Sequence, residues 1–176
     1  MQLYTYHHRV VTVPIDRQWL SWVTEYMRRA VQKAQGDPRF FKRMRGLKAH
    51  KLCSIAYAQY FGLMDQWQAN HEPVSIWPPR EDFVQNGLKI KLVAVSANEQ
   101  SGDFGPHLVG RVWGNDYKRH HDRYVLSCWY PPFVDLIGWV DHETLANYQR
   151  VSNFGTESYD LQEIVTRPMA QILEPV

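Results

Sequence analysis

Leu88-Lys89-Ile90-Lys91-Leu92-Val93-Ala94-Val95 decides the fold class. Apolar and charged side chains alternate through its first half, and a period of two is that of a β-strand. Leu88, Ile90 and Leu92 share one face, and Lys89, Lys91 and Val93 the other. Downstream, Tyr124-Val125-Leu126-Ser127-Cys128-Trp129-Tyr130 and Phe133-Val134-Asp135-Leu136-Ile137-Gly138-Trp139-Val140 are apolar runs divided by Pro131-Pro132. They read as adjacent buried strands. A loop rich in Gly, Asn and Asp, from Ser96 to about Gly105, separates them from the first. Asp141 is the expected cap of a short helix through Leu145, and apolar spacing resumes at Met169, Ile172 and Leu173.

Upstream the pattern turns helical. Val10, Val11 and Val13 predict a strand before Pro14, and Asp16 is placed to cap a helix. Leu20, Val23, Met27, Ala30, Val31 and Ala34 then recur at three- and four-residue spacing, ended by Gly36-Asp37-Pro38. A second helix is expected from about Leu47 to Phe61, with Gly62 as its stop. Residues 65–72 read as a polar turn, and Val74-Ser75-Ile76-Trp77 as a short strand before Pro78-Pro79. The expected architecture is α/β (α+β): a central mixed β-sheet flanked by helices, with a helical amino-terminal portion. At 176 residues the chain suits a single domain.

The formal charge of +2 hides an uneven distribution. Nine basic residues lie between Arg28 and Lys51 against Asp37 alone, so that segment carries +8 and the remainder −6. In Arg39-Phe40-Phe41-Lys42-Arg43-Met44-Arg45, aromatic and basic side chains interleave, which suits a nucleic-acid surface as well as a solvated face. Arg39, Lys42, Arg43, Arg45, Lys48, Lys51 and Lys89 are the candidate phosphate contacts. Trp113 is a candidate base-stacking ring. Trp19 and Trp22 widen the apolar face of the first helix, which raises a homo-oligomer through that helix. No apolar run approaches the ~20 residues of a membrane span. The start of the chain lacks a signal-peptide core. Cys53 and Cys128 fit neither a disulfide framework nor a CxxC zinc motif. The expectation is a cytoplasmic protein without a membrane partner. The Lys118-Arg119-His120-His121-Asp122-Arg123 run reads as a solvated loop, and no phosphate-binding loop, GxGxxG or GxSxG motif occurs.

Asp82 precedes the alternating strand, and Lys91 lies on it. An acid followed by a strand bearing a lysine is a layout for metal-dependent phosphodiester cleavage, the carboxylate holding Mg²⁺ and the lysine stabilising charge. Four stretches extend the pattern: Gly46 to Leu52 leading to Tyr60-Phe61-Gly62-Leu63, Asp82 to Val95, Tyr124 to Leu145, and Ser158-Tyr159-Asp160-Leu161 leading to Arg167-Pro168-Met169. Together they resemble the PD-(D/E)XK, restriction-endonuclease-like superfamily, in the style of small phage or mobile-element proteins. The resemblance implies a core over 46–176, preceded by a strand and basic helix over 1–45. It also implies Asp82 as metal ligand and catalytic acid, Lys91 as catalytic lysine, and Mg²⁺ as cofactor. Lys89 then stands where the pattern has its second acid, and His50 and Lys51 where a helix glutamate is common. Two lysines facing one site repel a divalent cation, so further ligands would have to come from Glu81, Glu99 or Asp103. The implied function is DNA binding on a nuclease-like fold, with Mg²⁺-dependent endonuclease activity left open. The alternative is a non-catalytic interaction or assembly protein that binds a protein partner on the same fold.

Overall fold

The computed structural model describes residues 9–34, 40–75, 79–97, 108–153, 155–162 and 165–174, with the side chains of 40–43 and 45 outside the description. Strand β1 (Val11–Pro14) leads into helix α1 (Arg17–Lys33), followed by α2 (Phe40–Phe61) and α3 (Met64–His71). The sheet region comprises β2 (Phe83–Gln85), β3 (Leu88–Ser96), β4 (Val109–Trp113), β5 (Arg123–Tyr130), β6 (Phe133–Asp141), β7 (Gln149–Val151) and β8 (Glu157–Gln162). Short helices α4 (Gly114–Tyr117) and α5 (His142–Ala146) follow β4 and β6.

A five-stranded mixed sheet runs β1-β6-β5-β3-β2, and a three-stranded sheet runs β4-β8-β7. All pairs are antiparallel except β3–β5, where Ile90 stands opposite Arg123 and Ser96 opposite Trp129. Parallel neighbours need a crossover, and the described part of this one carries β4 and α4.

The alternation of β3 sorts its side chains between two cores. Leu88, Ile90, Leu92 and Ala94 join a cluster with α1, α2 and α3, whereas Val93 and Val95 join Leu108 together with Val112, Leu161 and Tyr159 of the second sheet's strands. A sheet covered on both faces explains the near-continuous apolar runs of β5 and β6. A register shift at Leu126/Ser127 leaves Ile137 as the extra residue of a bulge. Val134, Leu136 and Trp139 consequently face the same cluster although their spacing is not even. Gly138 lies where a Cβ would stand 2.5 Å from the Arg167 carbonyl oxygen. That close approach admits the bridge between Trp139 and Arg167.

Several expectations are corrected. The second helix begins at Phe40, so the basic stretch is helical and not a connection between helices. Residues 65–72 are not a polar turn but most of α3, because Trp67 and His71 are fully buried on one helix side. Val74 and Ser75 are not strand, and Ile76 and Trp77 lie outside the described residues. Trp19 and Trp22 pack edge-on against Trp67 at 5.4 and 5.1 Å between ring centroids, so much of the widened apolar face of α1 is spent within the fold. No helix among the described residues is long and apolar enough to cross a membrane. Asp141 caps α5 as expected, accepting from the Thr144 amide at 2.7 Å.

Candidate functional site

Asp82 sits one residue before β2, where that short strand stops covering β3. Its amide donates to the Ile90 carbonyl at 3.0 Å. Its carboxylate then replaces the missing strand, as Oδ2 accepts the Leu92 amide at 2.8 Å. The side chain is thereby pinned at the open edge of β3, fully buried. Lys91 approaches the same oxygen: its Nζ lies 3.4 Å from Oδ2 and donates to the Pro79 carbonyl at 3.2 Å. The expected pairing of Asp82 with Lys91 is therefore present in space.

Helices supply the rest. The Nε2 of His50, from α2, lies 2.9 Å from Asp82 Oδ1. The Nε2 of His71, the last residue of α3, lies 3.7 Å from that oxygen and 3.1 Å from the Asp82 carbonyl oxygen. Trp67 stacks on His71 with the ring planes 6° apart, and its indole N–H donates to Ser54 of α2 at 2.8 Å. The four-residue step from Trp67 to His71 thus sets the imidazole orientation. Lys51 turns inward, donating to the His71 carbonyl oxygen and lying 4.4 Å over the Tyr26 ring.

Burial and neighbouring charge set the protonation states. Burial alone would raise the Asp82 carboxyl, but His50 and Lys91 outweigh it and hold the group far below the usual carboxylate range. Burial lowers His71 to about 4, so its imidazole is neutral near pH 7. Burial likewise lowers Lys51, to about 8, although Asp82 opposes the shift. Asp82 Oδ1 and both ring nitrogens of His50 make no aligned hydrogen bond among the described residues, and neither does His71 Nδ1.

A pocket of about 210 Å³ opens beside the cluster. Gly46 and His50 of α2, Lys91 of β3, Arg111 and Trp113 of β4 and Asp116 of α4 are among its walls. Arg111 is oriented by Asp160 at 3.2 Å and lies 5.7 Å from the Trp113 ring centroid. Trp113 is 52% exposed.

The other expected site residues are dispersed. Lys48 is exposed on α2, its ammonium 4.9 Å over the Trp129 ring. Lys89 is exposed, so only one of the two strand lysines faces Asp82. Lys51 is a correction: at 2% exposure its ammonium serves the protein interior and cannot reach a phosphate. Arg39 lies outside the described residues, as do the side chains of Lys42, Arg43 and Arg45, and Glu99 and Asp103 entirely. Glu81 turns to Arg80 at 3.4 Å. The Lys118–Arg123 run is not a solvated loop throughout. His121 is fully buried against the Arg80 carbonyl, and Arg123 is buried under Trp139. His120 stacks on His142, which stacks on Tyr117.

The donor set does not suit the expected Mg²⁺. That ion takes octahedral oxygen ligands, whereas the cluster offers one carboxylate, with one oxygen already engaged by Lys91 and Leu92, and two imidazoles. His71 was missed in the sequence because Asp65, Gln66, Gln68 and Asn70 gave its helix a polar look. The only available signal was the three- and four-residue spacing of Met64, Trp67 and His71. No protein-family model, curated protein or solved structure matches the chain.

Proposed function

We propose that the protein binds nucleic acid in the pocket between α2, β3 and β4, on a restriction-endonuclease-like core whose expected Mg²⁺ centre is replaced by the Asp82–Lys91 ion pair. The observation that carries the reading is Trp113, half exposed at the pocket wall beside Arg111 with His50 and Lys91 on the other walls. An exposed indole is a stacking platform for any base, and the neighbouring Arg111 guanidinium suits the phosphate that follows it. The basic half of α2 leads into this pocket at Gly46. Exposed Lys48 and the helical segment bearing Lys42, Arg43 and Arg45 extend the cationic character along one element. Lys91, beside Oδ2, opposes the hard cation that hydrolysis of the expected kind would need.

The test is fluorescence anisotropy with labelled single-stranded DNA, duplex DNA and RNA, in EDTA and at several salt concentrations. Affinity is expected to fall at least ~10-fold between about 50 and about 200 mM salt. Trp113→Ala is expected to weaken binding by about 1–3 kcal/mol, the value of one stacked base. Incubation with Mg²⁺ or Mn²⁺ is expected to leave the strands intact. The absence of salt-dependent binding to all three probes would falsify the proposal and leave the protein-partner alternative. Nicking that Asp82→Ala abolishes would instead restore the endonuclease reading.

A further inference from the structure

The cluster beneath the pocket carries a second inference, independent of nucleic-acid binding. One ligating atom from each of His50, His71 and Asp82 lies within 4.8 Å of the other two. His71 and Asp82 are fully buried, and His50 nearly so. Buried polar atoms almost always have hydrogen-bond partners, and leaving one without costs about 1–3 kcal/mol. Here His50 Nε2 and Asp82 Oδ1 are in ion-pair contact at 2.9 Å without hydrogen-bond alignment, and His50 Nδ1 and His71 Nδ1 have no partner among the described residues. His50 Nε2 and Asp82 Oδ1 both lie close to His71 Nε2, which meets only the Asp82 carbonyl.

We propose that His50, His71 and Asp82 bind one divalent transition-metal ion of the zinc class, with an open coordination position toward the pocket. Two imidazole nitrogens and one carboxylate oxygen are the donors that Zn²⁺ and Co²⁺ accept and that Mg²⁺ does not favour. Three protein ligands leave a fourth position for water or a bound molecule. His50 lines the pocket, which sets the open side. The surrounding contacts orient two of the three ligands, Asp82 and His71, as partners behind metal ligands do. Leu92 and Lys91 occupy Oδ2 and leave Oδ1 for the ion, Lys51 fixes the His71 backbone, and Trp67 fixes the His71 ring. To coordinate through Nε2, His71 exchanges its hydrogen bond to the Asp82 carbonyl for the ion and carries its proton on Nδ1. The Lys91 ammonium opposes a dipositive ion, so this site is weaker than one without it.

Chelator-stripped protein is titrated with Zn²⁺ by calorimetry and with Co²⁺ by visible absorption, Mg²⁺ serving as the contrasting ion. One equivalent of Zn²⁺ is expected, with the intense bands of low-coordinate Co²⁺ and no saturable Mg²⁺ signal. His50→Gln and Asp82→Asn are each expected to weaken Zn²⁺ at least ~10-fold, and Lys91→Met to tighten it. A zinc X-ray absorption spectrum of the unaltered protein, with two imidazole scatterers expected, needs no variant to fold. No saturable Zn²⁺ uptake, uptake unchanged in His50→Gln, or a spectrum lacking two imidazoles overturns the assignment. Because the anisotropy assays run in EDTA, failure here and failure of nucleic-acid binding are separately visible.

Discussion

Asp82→Asn tests the ion pair at the centre of the site. The side chain is fully buried and Lys91 is 5% exposed, so neither charge can fall back on solvent. Across the 3.4 Å between Nζ and Oδ2, the Coulomb attraction at an effective dielectric of ~20 is about 5 kcal/mol. Asparagine keeps an oxygen for the Leu92 amide but strands the ammonium, and breaking a buried pair in this way costs about 3–5 kcal/mol. For a chain of this length that corresponds to a loss of roughly 6–20 °C in Tm. Urea denaturation in EDTA is the assay, on the wild type, Asp82→Asn, Lys91→Met and the double variant. Lys91→Met added to Asp82→Asn removes the stranded charge and is expected to recover part of the loss. A favourable coupling of about 1–3 kcal/mol is expected from the cycle. The pH dependence has a definite sign. A carboxyl depressed in the folded state stabilises above its unfolded value near 3.9, and that contribution is lost as pH falls below it. The part of the gap between wild type and Asp82→Asn that this carboxylate supplies should therefore narrow as pH falls below about 4. A cost under ~1 kcal/mol, or a double variant no more stable than Asp82→Asn, would refute the buried pair.

Three further perturbations probe other parts of the structure. His71, held at about 4 against 6.5 in the unfolded chain, makes stability fall as pH drops from 6.5 toward 4, because the unfolded chain takes the proton first. At ~1.4 kcal/mol per pH unit this is worth roughly 3 kcal/mol, and denaturation of His71→Gln in EDTA should show the slope flattened; an unchanged slope places the titration elsewhere. Lys48→Ala should weaken DNA binding and reduce the salt slope by about one contact. Lys51→Met, inside the fold, should leave that slope unchanged while shifting the urea midpoint, and the reverse pattern would contradict the inward placement of Lys51. Gly138→Ala puts a methyl 2.5 Å from the Arg167 carbonyl oxygen, an overpacking expected to cost about 1–3 kcal/mol. An alanine protein with the wild-type Tm would mean that the bridge to Arg167 is not formed in solution.

What the sequence made legible follows from how locally each feature is determined. The alternation of β3, the stripe of α1 and the Asp141 cap depend on neighbours a few residues away, and all three are present in the structure. The approach of Lys91 to Asp82 spans a short stretch of chain across the β2–β3 turn. The contribution of His71 was not legible, since its burial depends on Trp67 packing beneath Trp19 and Trp22 of a different helix. The inward turn of Lys51 was hidden for the same reason, its partners being the His71 backbone and Tyr26 of α1. The Ile137 bulge was equally invisible, because a run apolar on both faces carries no parity to break.

Stability alone gives a poor account of the cluster. Replacing a buried ion pair by apolar side chains of similar volume is often neutral or stabilising. Here the pair comes with two imidazoles, a second inward lysine and buried atoms that no described residue satisfies. A fold that needed only to close this edge of β3 could do so with the Leu92 hydrogen bond and an apolar surround. The surplus of polar groups is concentrated on Oδ1, the side away from Lys91 and toward His50, whose ring also reaches the pocket. One oxygen of Asp82 thus serves the fold, and the other remains available for chemistry. That asymmetry is why the Lys91→Met variant is informative: it removes a cation 3.4 Å from the structural oxygen, and a zinc ion held on the other oxygen should then bind more tightly.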